Sequence, residues 1–239
     1  MKFKIWLESN LPSVFIGVKS KDELFATLKR NYSVHKQEIL DWLENINFQN
    51  YCRLVGTDHP VILYHGSPQD AIAEKGFQIT NGQRAGMFGG TRSVQNQGIF
   101  MTDSQEMAKF FGSSRTEYGR NYNLYQAYAN LDRILDMTIS LPTQVRKLGL
   151  QLINSYKGKK KSKIAESEIW LLLDMPEFVD FLKSLGYDVV KFKESFSTRK
   201  QSDKNAFSYL IFDPNNLVIK SAKNDLLSDF DSICKYLNI

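Results

Sequence analysis

Cysteine, histidine and long apolar runs are all scarce in this chain of 239 residues. The two cysteines, Cys52 and Cys234, supply neither a disulfide framework nor the ligand spacing of a zinc site. No stretch reaches the roughly 18–20 apolar residues of a membrane span, and the first ten residues lack the apolar core of a secretory signal. These scarcities predict a protein without a metal and without membrane contact, located in a reducing cytoplasm.

Common nucleotide and protease motifs are missing as well. There is no G-x-x-x-x-G-K-[ST], and the glycines between residues 81 and 98 lack the G-x-G-x-x-G spacing after a strand, which excludes P-loop and Rossmann sites. The histidines are His35, His59 and His65, and the first two fall in a polar helix start and a turn. Neither cysteine has a nucleophile's local context, so a Cys-His protease is unsupported and His65 is the histidine with a candidate role.

The composition is that of a folded protein with a moderate basic excess. Hydrophobic residues make up 42% and aromatic residues 13% of the chain, which is enough for a substantial core. Formal net charge is +5, and five lysines fall within residues 157–163. Such a run is either a solvated loop or a loop that contacts nucleic-acid phosphates.

The first sixty residues of the chain are predicted to be helical. Ser20 and Glu23 form an S-x-x-E capping box, and a second helix is predicted over residues 34–46. We expect residues 1–55 to form a helical N-terminal segment and residues 56–239 to form the main domain.

Short strands alternate with helices through the rest of the chain, which favours an α+β fold. A helix is predicted to begin at Asp103, another is capped by Asp174 and ends at a left-handed Gly186, and a loop is predicted over residues 81–98. Residues 141–173 are predicted to be mainly helical and residues 224–237 to form an amphipathic closing helix. The predicted strands are 61–64, 98–101, 124–129, 133–137, 187–192, 207–212 and 217–220.

Tyr64, His65, Gly66 and Ser67 come where the first strand is predicted to end. Polar side chains at a strand end can face a ligand. A histidine in such a place can equally be a structural hydrogen-bonding residue.

Three segments in a fixed order resemble the motifs of a known enzyme family. ILYHGS, GIFMTD and SYLIFDP are similar to the three motifs of the His-Tyr-Glu branch of ADP-ribosyltransferases, which includes poly(ADP-ribose) polymerases, diphtheria toxin and many phage and bacterial toxin domains. Gly186-Tyr187-Asp188 resembles the GYD of the bacterial and phage members. The resemblance covers about two thirds of the chain and implies a split β-sandwich of two small packed sheets with flanking helices.

The resemblance also implies roles for individual residues toward NAD. His65 matches the histidine that binds the adenosine ribose, Gly66 the glycine that holds the nicotinamide carboxamide, and Ser67 a neighbour of the nicotinamide end. Phe100 and Phe110 would enclose the nicotinamide ring, although core packing is an alternative for both. The stretch 81–98 would cover the dinucleotide, with Arg84 or Arg92 near the pyrophosphate. The NAD-binding residues implied are Tyr64, His65, Gly66, Ser67, Arg84, Gly98, Phe100, Thr102 and Phe110.

The chain departs from the family at its last motif. Ser208 stands where the family has its catalytic glutamate, a carboxylate that stabilises the oxocarbenium-like transition state. Glu194, Asp203 or Glu168 could supply the charge, the alignment could be shifted by a few residues, or the domain could bind NAD without catalysis. The implied catalytic set is His65, Phe100, Ser208 and Glu194.

The function that the resemblance implies is mono-ADP-ribosylation of a nucleic acid or protein by a toxin or a phage or defence effector, with a neutralising antitoxin as a possible partner. The acceptor is expected at basic residues on two loops. The alternative is a catalytically inactive pseudo-transferase that serves as a binding module. A related RNA 2′-phosphotransferase would need denser arginines and a histidine pair, which the sequence lacks. The acceptor residues are Lys159, Lys160, Lys161, Arg199 and Lys200.

Overall fold

The computed structural model describes residues 11–79, 81–85, 91–95, 97–114, 122–156, 172–193, 206–221, 225 and 233–235. These residues belong to two compact units. The first takes in the described residues up to His59 and those from Lys220 onward, and the second is Pro60–Ile219.

One long helix dominates the first unit. It follows a 3₁₀ turn at Ser13–Phe15 and spans Lys21–Val55, here called α1. The predicted capping box is present in a shifted form: the hydroxyl of Ser20 accepts from the amide of Glu23 at 3.2 Å, and the Glu23 carboxylate accepts from the amide of Lys19 at 2.7 Å. The prediction of two separate helices was wrong. Neither glycine nor proline interrupts residues 21–55, so the helix continues to Gly56.

The core of the first unit combines residues from both ends of the chain. The rings of Phe15 and Trp42 meet at 5.3 Å and 60°, and Ile39 of α1 is buried in the same cluster. Ile233 and Cys234 also belong to it. The structure describes residues 225 and 233–235 of the predicted closing helix, and of these 233–235 are helical whereas 225 is not. The predicted division at residue 55 stays a prediction.

The second unit contains a seven-stranded mixed sheet and a separate two-stranded hairpin. The sheet order is β6-β7-β8-β4-β1-β5-β9, in which only β6 and β7 run parallel. Along the chain the elements are β1 Val61–Ser67, α2 Ala71–Lys75, β2 Asn81–Ala85, β3 Thr91–Gln95, β4 Ile99–Thr102, α3 Gln105–Ser114, β5 Asn123–Ala129, β6 Ile134–Asp136, α4 Thr143–Tyr156, α5 Pro176–Ser184, β7 Val189–Phe192, β8 Ser208–Ile211 and β9 Leu217–Ile219.

The sheet is split near its middle. Strands β1 and β4 are joined through the pair Tyr64 and Thr102, whereas β1 and β5 pair along the whole of β1. Leu63 and Ala127 of one half and Met101 and Ile211 of the other belong to one buried cluster. The α+β split-sandwich prediction is confirmed.

A second cluster covers the opposite face of β7 and β8. Val190 and Leu210 project from the strands, and Val145 of α4 and Phe178 and Leu182 of α5 pack with them. The apolar residues of each helix recur at helical spacing, so one face of the helix is buried against the sheet.

Several local predictions need correction. Residues 81–98 are not all loop, because they include the antiparallel hairpin β2–β3. Strand β1 continues through Ser67, so His65 lies within the sheet ladder. Helix α3 begins at Gln105 and not at Asp103, and the residue that caps it is Ser104, whose hydroxyl accepts from the amide of Met107 at 3.3 Å.

Helix α5 also begins one residue later than predicted. Its N-cap is Met175, with Pro176 at the first helical position, and Asp174 precedes the cap. Proline suits that position because its missing N–H has no partner there in any case. The chain leaves the helix through Gly186 at φ 86°, as predicted.

Candidate active site

His65 joins the two halves of the split sheet. It lies in β1 opposite Tyr125 of β5, and its Nδ1 is 2.7 Å from the carbonyl oxygen of Phe100 in β4. A carbonyl only accepts, so the geometry assigns the proton to Nδ1 and makes Nε2 the ring acceptor. Two residues 35 positions apart in the chain are therefore in direct contact, as the order of the motifs suggested.

The Phe77 ring packs against this imidazole, and the Tyr125 ring packs against Phe77 in turn. The ring of Phe77 lies 5.5 Å from that of His65 at an interplanar angle of 85°. Phe77 also contacts Tyr125, with ring centroids 6.4 Å apart at 80°. No role could be predicted for Phe77 or Tyr125, since neither residue belongs to a sequence motif.

Gly66 brings β1 against helix α3. A Cβ atom placed on Gly66 would collide with the carbonyl oxygen of Ala108 and would lie 2.8 Å from the amide nitrogen of Gly112. Only a residue without a side chain permits this approach of two backbones. Gly66, to which the resemblance assigns the carboxamide, is thus the strand residue at the closest described approach of β1 to α3.

The segment after β1 is tied down by hydrogen bonds. The buried Ser67 hydroxyl accepts from the amide of Gln69 at 3.2 Å, and the Tyr125 hydroxyl donates to the Gln69 carbonyl at 2.6 Å. The Asn123 amide donates to the carboxylate of Asp70. Burial raises the pKa of the Tyr125 phenol, which keeps it protonated as the donor. Ser67 therefore shapes the turn that follows the motif.

The two predicted aromatic residues differ in their surroundings. Phe100 is half-buried, and its ring packs edge to face with Phe192 at 6.2 Å and 89°. Phe110 is 43% exposed and contacts Phe111 at 5.9 Å. Core packing, the alternative given for Phe110, is not observed, because the buried side of α3 carries Met107 and other residues instead. Their joint enclosure of a nicotinamide ring stays a prediction.

Ser208 is buried at the start of β8. It pairs with Thr102 of β4 on one side and with Phe192 of β7 on the other. Its relative exposure is 2%, and its hydroxyl lies 4.0 Å from the sulfur of Met107, at the limit of a weak contact. The position that the resemblance aligns with the catalytic glutamate is therefore occupied by a small polar group against a helix side chain.

A set of hydrogen bonds fixes the residues on either side of Ser208. The Thr102 hydroxyl donates to the Phe207 carbonyl at 2.9 Å, and Asp103 accepts from the Phe207 amide at 2.8 Å. The Tyr209 hydroxyl donates to Asp103 at 3.4 Å. Burial, followed by the nearby Asp103 carboxylate, raises the pKa of Tyr209 well above its usual value. These partners are about a hundred residues apart in the chain, so no local sequence pattern could predict their hydrogen bonds.

An ion pair lies beside this set. The Lys191 ammonium is 2.9 Å from the Asp136 carboxylate and 4.2 Å from the ring centroid of Phe207. Burial alone raises the pKa of Asp136, but hydrogen bonds from Thr138 and Lys191 outweigh it and lower the pKa. Both side chains are roughly a quarter exposed, so solvent only partly screens the pair.

The remaining predicted NAD-binding residues have these positions. A Cβ on Gly98 would lie 2.9 Å from the carbonyl carbon of Ile211, so glycine is needed for this contact with β8. Tyr64 is half-buried in β1. Arg84 and Arg92 are directly opposite each other in the β2–β3 hairpin.

Several predicted residues lie outside the described part of the chain. They are the alternative acids Glu168, Glu194 and Asp203 and the acceptor residues Lys159, Lys160, Lys161, Arg199 and Lys200. Among the described residues, no cluster of three or more histidine, cysteine or acidic side chains could hold a metal ion. None of the helices in the described ranges has the length and apolar character to cross a membrane.

Comparison with known proteins agrees with the geometry. Residues 57–228 match the family model described as ADP-ribosyltransferase in polyvalent proteins. No match was found among the curated proteins or among the solved structures. Since the matched region includes the whole sheet and covers well over half of the chain, this protein belongs to the ADP-ribosyltransferase family found in polyvalent proteins.

Proposed function

We propose that this protein is a mono-ADP-ribosyltransferase that cleaves NAD at the nicotinamide–ribose bond and attaches one ADP-ribose unit to a nucleic acid or protein. The observation that carries the proposal is the hydrogen bond of 2.7 Å between His65 Nδ1 and the Phe100 carbonyl. It joins the first two family motifs at one point. Ser208, from the third motif, lies opposite Thr102 in the same sheet.

The geometry around His65 suits the binding of a ribose. With the proton on Nδ1, Nε2 can accept a hydrogen bond from a ribose hydroxyl. Gly66 then offers its own backbone groups to the carboxamide of nicotinamide, and the close approach of α3 leaves no room for a side chain there. Phe100 supplies an apolar face beside it.

The reaction breaks one bond at C1′ of the ribose and forms another there. The C1′–N bond of the nicotinamide riboside breaks, and its electron pair returns to the pyridinium nitrogen, which becomes neutral. A lone pair of the acceptor forms the new bond to C1′, and the acceptor loses a proton. Because the leaving group is already cationic, positioning supplies much of the rate.

We expect transfer of a single ADP-ribose unit, without chain elongation, because position 208 has no carboxylate. Chain elongation needs a base to activate the hydroxyl of the previous ADP-ribose unit, and a serine hydroxyl buried against Met107 is far too weak a base. Glu194 is our first candidate for an acid elsewhere in the chain.

The basic residues support a nucleic-acid or acidic protein acceptor. Lys159, Lys160, Lys161, Arg199 and Lys200 would contact phosphate or carboxylate groups, and salt would weaken such binding. A toxin or phage-defence role in the cytoplasm, with an antitoxin as partner, accords with this activity.

The test is incubation of the full chain with NAD that carries a label in the adenylate phosphate, together with cell lysate. Nicotinamide release is measured in parallel, and the product is digested with protease or with nuclease. We expect release together with label that only one digestion removes, and neither in His65→Ala. Absence of release under every acceptor condition would overturn the proposed activity.

A second candidate is a pseudo-transferase that binds NAD without cleaving it. The burial of Ser208 at the glutamate position favours it. Calorimetric binding of NAD without nicotinamide release would identify this alternative.

A further inference from the structure

Three aromatic rings form a connected group at the centre of the site. His65 and Tyr125 are opposite each other in the ladder between β1 and β5. Neighbours opposite each other in a ladder project to the same face of the sheet. The Phe77 ring stands nearly perpendicular to both, at 85° to His65 and 80° to Tyr125. Phe77 and Tyr125 are each 7% exposed.

We propose that Phe77, supported by Tyr125, is a positioning residue that sets the tilt of the His65 imidazole for the ribose of NAD. The proposal rests on the proposed function, because it takes His65 as the ribose-binding group.

The hydrogen bond to Phe100 does not by itself fix the orientation of the His65 ring. It restrains one distance, 2.7 Å from Nδ1 to the carbonyl oxygen, but the ring can still tilt because χ1 and χ2 can change together while that distance is kept. Such a tilt moves Nε2, the atom proposed to bind the ribose. Contact with a perpendicular ring at 5.5 Å restricts the tilt, and aromatic pairs of this geometry contribute beyond their buried area.

Phe77 is itself held at both ends. Gly76 precedes it with φ 76°, a left-handed conformation that ends α2 and turns the chain toward the sheet. On the other side Tyr125 is anchored through its hydroxyl to the Gln69 carbonyl at 2.6 Å. A continuous series of contacts therefore links the turn after β1 to His65, through Tyr125 and then Phe77.

The experiment compares Phe77→Leu with wild type in the full chain. Two quantities are measured: KM and kcat for nicotinamide release, and the ¹⁵N shifts of the His65 imidazole, assigned by their loss in His65→Ala. We expect KM for NAD to rise roughly five- to tenfold with kcat little changed, since a misplaced hydrogen bond weakens binding by about that factor. The ¹⁵N shifts should move from a fixed Nδ1–H tautomer toward an averaged pattern.

Phe15→Leu is the matched control. It removes the same ring from a buried edge-to-face pair, with Trp42, in the other compact unit. It should lower stability by a similar amount and leave KM and the His65 shifts unchanged. Tyr125→Phe keeps the ring but loses the anchor to Gln69, and we expect a smaller rise in KM of roughly two- to threefold.

Unchanged His65 shifts and KM in Phe77→Leu would overturn the proposal. If Phe77→Leu does not fold, Tyr125→Phe decides the matter, and unchanged shifts and KM there count against it. The ¹⁵N measurement needs no turnover, so it distinguishes failure of this proposal from failure of the proposed activity.

Discussion

Gly66 of β1 and Gly112 of α3 lie with their backbones in contact. A Cβ atom on Gly112 would be 3.2 Å from the Cα of Gly66, and one on Gly66 would be 2.8 Å from the Gly112 nitrogen. Helix α3 is thus packed directly on the strand that carries His65. Any side chain at position 66 must separate the two elements.

We therefore predict that Gly66→Ala weakens both stability and NAD binding. Overpacking of this kind costs about 1–3 kcal/mol, and the separation displaces the groups proposed to hold the carboxamide. Gly186→Ala is the control, because it is strained by φ 86° but has open space around it. Denaturant unfolding should show a loss in both variants, and calorimetry should show loss of NAD affinity only in Gly66→Ala. Equal NAD affinity in the two variants would contradict the role of Gly66.

His65→Ala should reduce NAD affinity by roughly tenfold or more, as expected for loss of one well-placed hydrogen bond together with its ring contacts. His59→Ala, which removes an exposed histidine of the first unit, is the control and should bind NAD as the wild type does. Isothermal titration of each variant measures the effect. Unaltered affinity in His65→Ala would remove this residue from the NAD site.

The sequence predicted the sheet better than the contacts that complete the site. Short apolar runs marked most strands, and the order of three motifs placed His65 and Phe100 in one predicted site. The hairpin β2–β3 escaped prediction because its residues are polar and glycine-rich, without an apolar face. Phe77 escaped because its position follows from the turn at Gly76 and from a partner in β5, and neither appears as a local pattern.

The hydrogen bonds beside Ser208 likewise could not be predicted from local sequence patterns. Thr102 and Asp103 hold Phe207 through bonds that span more than a hundred positions. Asp103 looked like a helix cap from the sequence, since it stands just before the helix. In the folded chain Ser104 takes that role and Asp103 binds β8 instead.

The ion pair of Asp136 and Lys191 predicts a pH dependence of stability. The folded-state pKa of Asp136 lies below its ordinary value of 3.8, because hydrogen bonds from Thr138 and Lys191 overcome the effect of burial. A lowered pKa means that the pair's contribution is complete above pH 3.8 and disappears as the pH falls through the folded-state pKa. Asp136→Asn should cost roughly 1–3 kcal/mol near pH 7 and progressively less below pH 3.8.

Unfolding by denaturant at a series of pH values measures this effect. The Lys191→Gln and double variants complete a cycle that isolates the coupling of the two side chains. If the loss of unfolding free energy in Asp136→Asn stays constant down to the lowest pH measured, the carboxylate charge does not contribute to stability.

Arg84 and Arg92 are opposite each other in the β2–β3 hairpin. Like charges at opposed positions destabilise a ladder, and binding of an anion such as the NAD pyrophosphate is expected to offset that cost. We predict that Arg84→Gln and Arg92→Gln each weaken NAD binding while leaving the melting temperature of the free protein unchanged or higher. Gln83→Ala, at the neighbouring hairpin position opposite Ser93, is the control. A fall in melting temperature without a change in affinity would assign both arginines to structure.

Ser208 carries the last prediction, that NAD hydrolysis is limited by the missing carboxylate. Ser208→Glu places a carboxylate at the position that the resemblance assigns to the catalytic acid, and we expect nicotinamide release to rise by about tenfold or more. The new side chain must fit beside Met107 at a position that is now 2% exposed, so folding has to be checked by thermal melting. Ser208→Gln has nearly the same shape without the charge, which makes it the matched control. Ser208→Ala should change the rate only modestly, because the present hydroxyl has a single weak contact assigned to it. If glutamate and glutamine behave alike in folded protein, the charge is supplied elsewhere, and Glu194→Gln becomes the variant whose loss of activity would locate it.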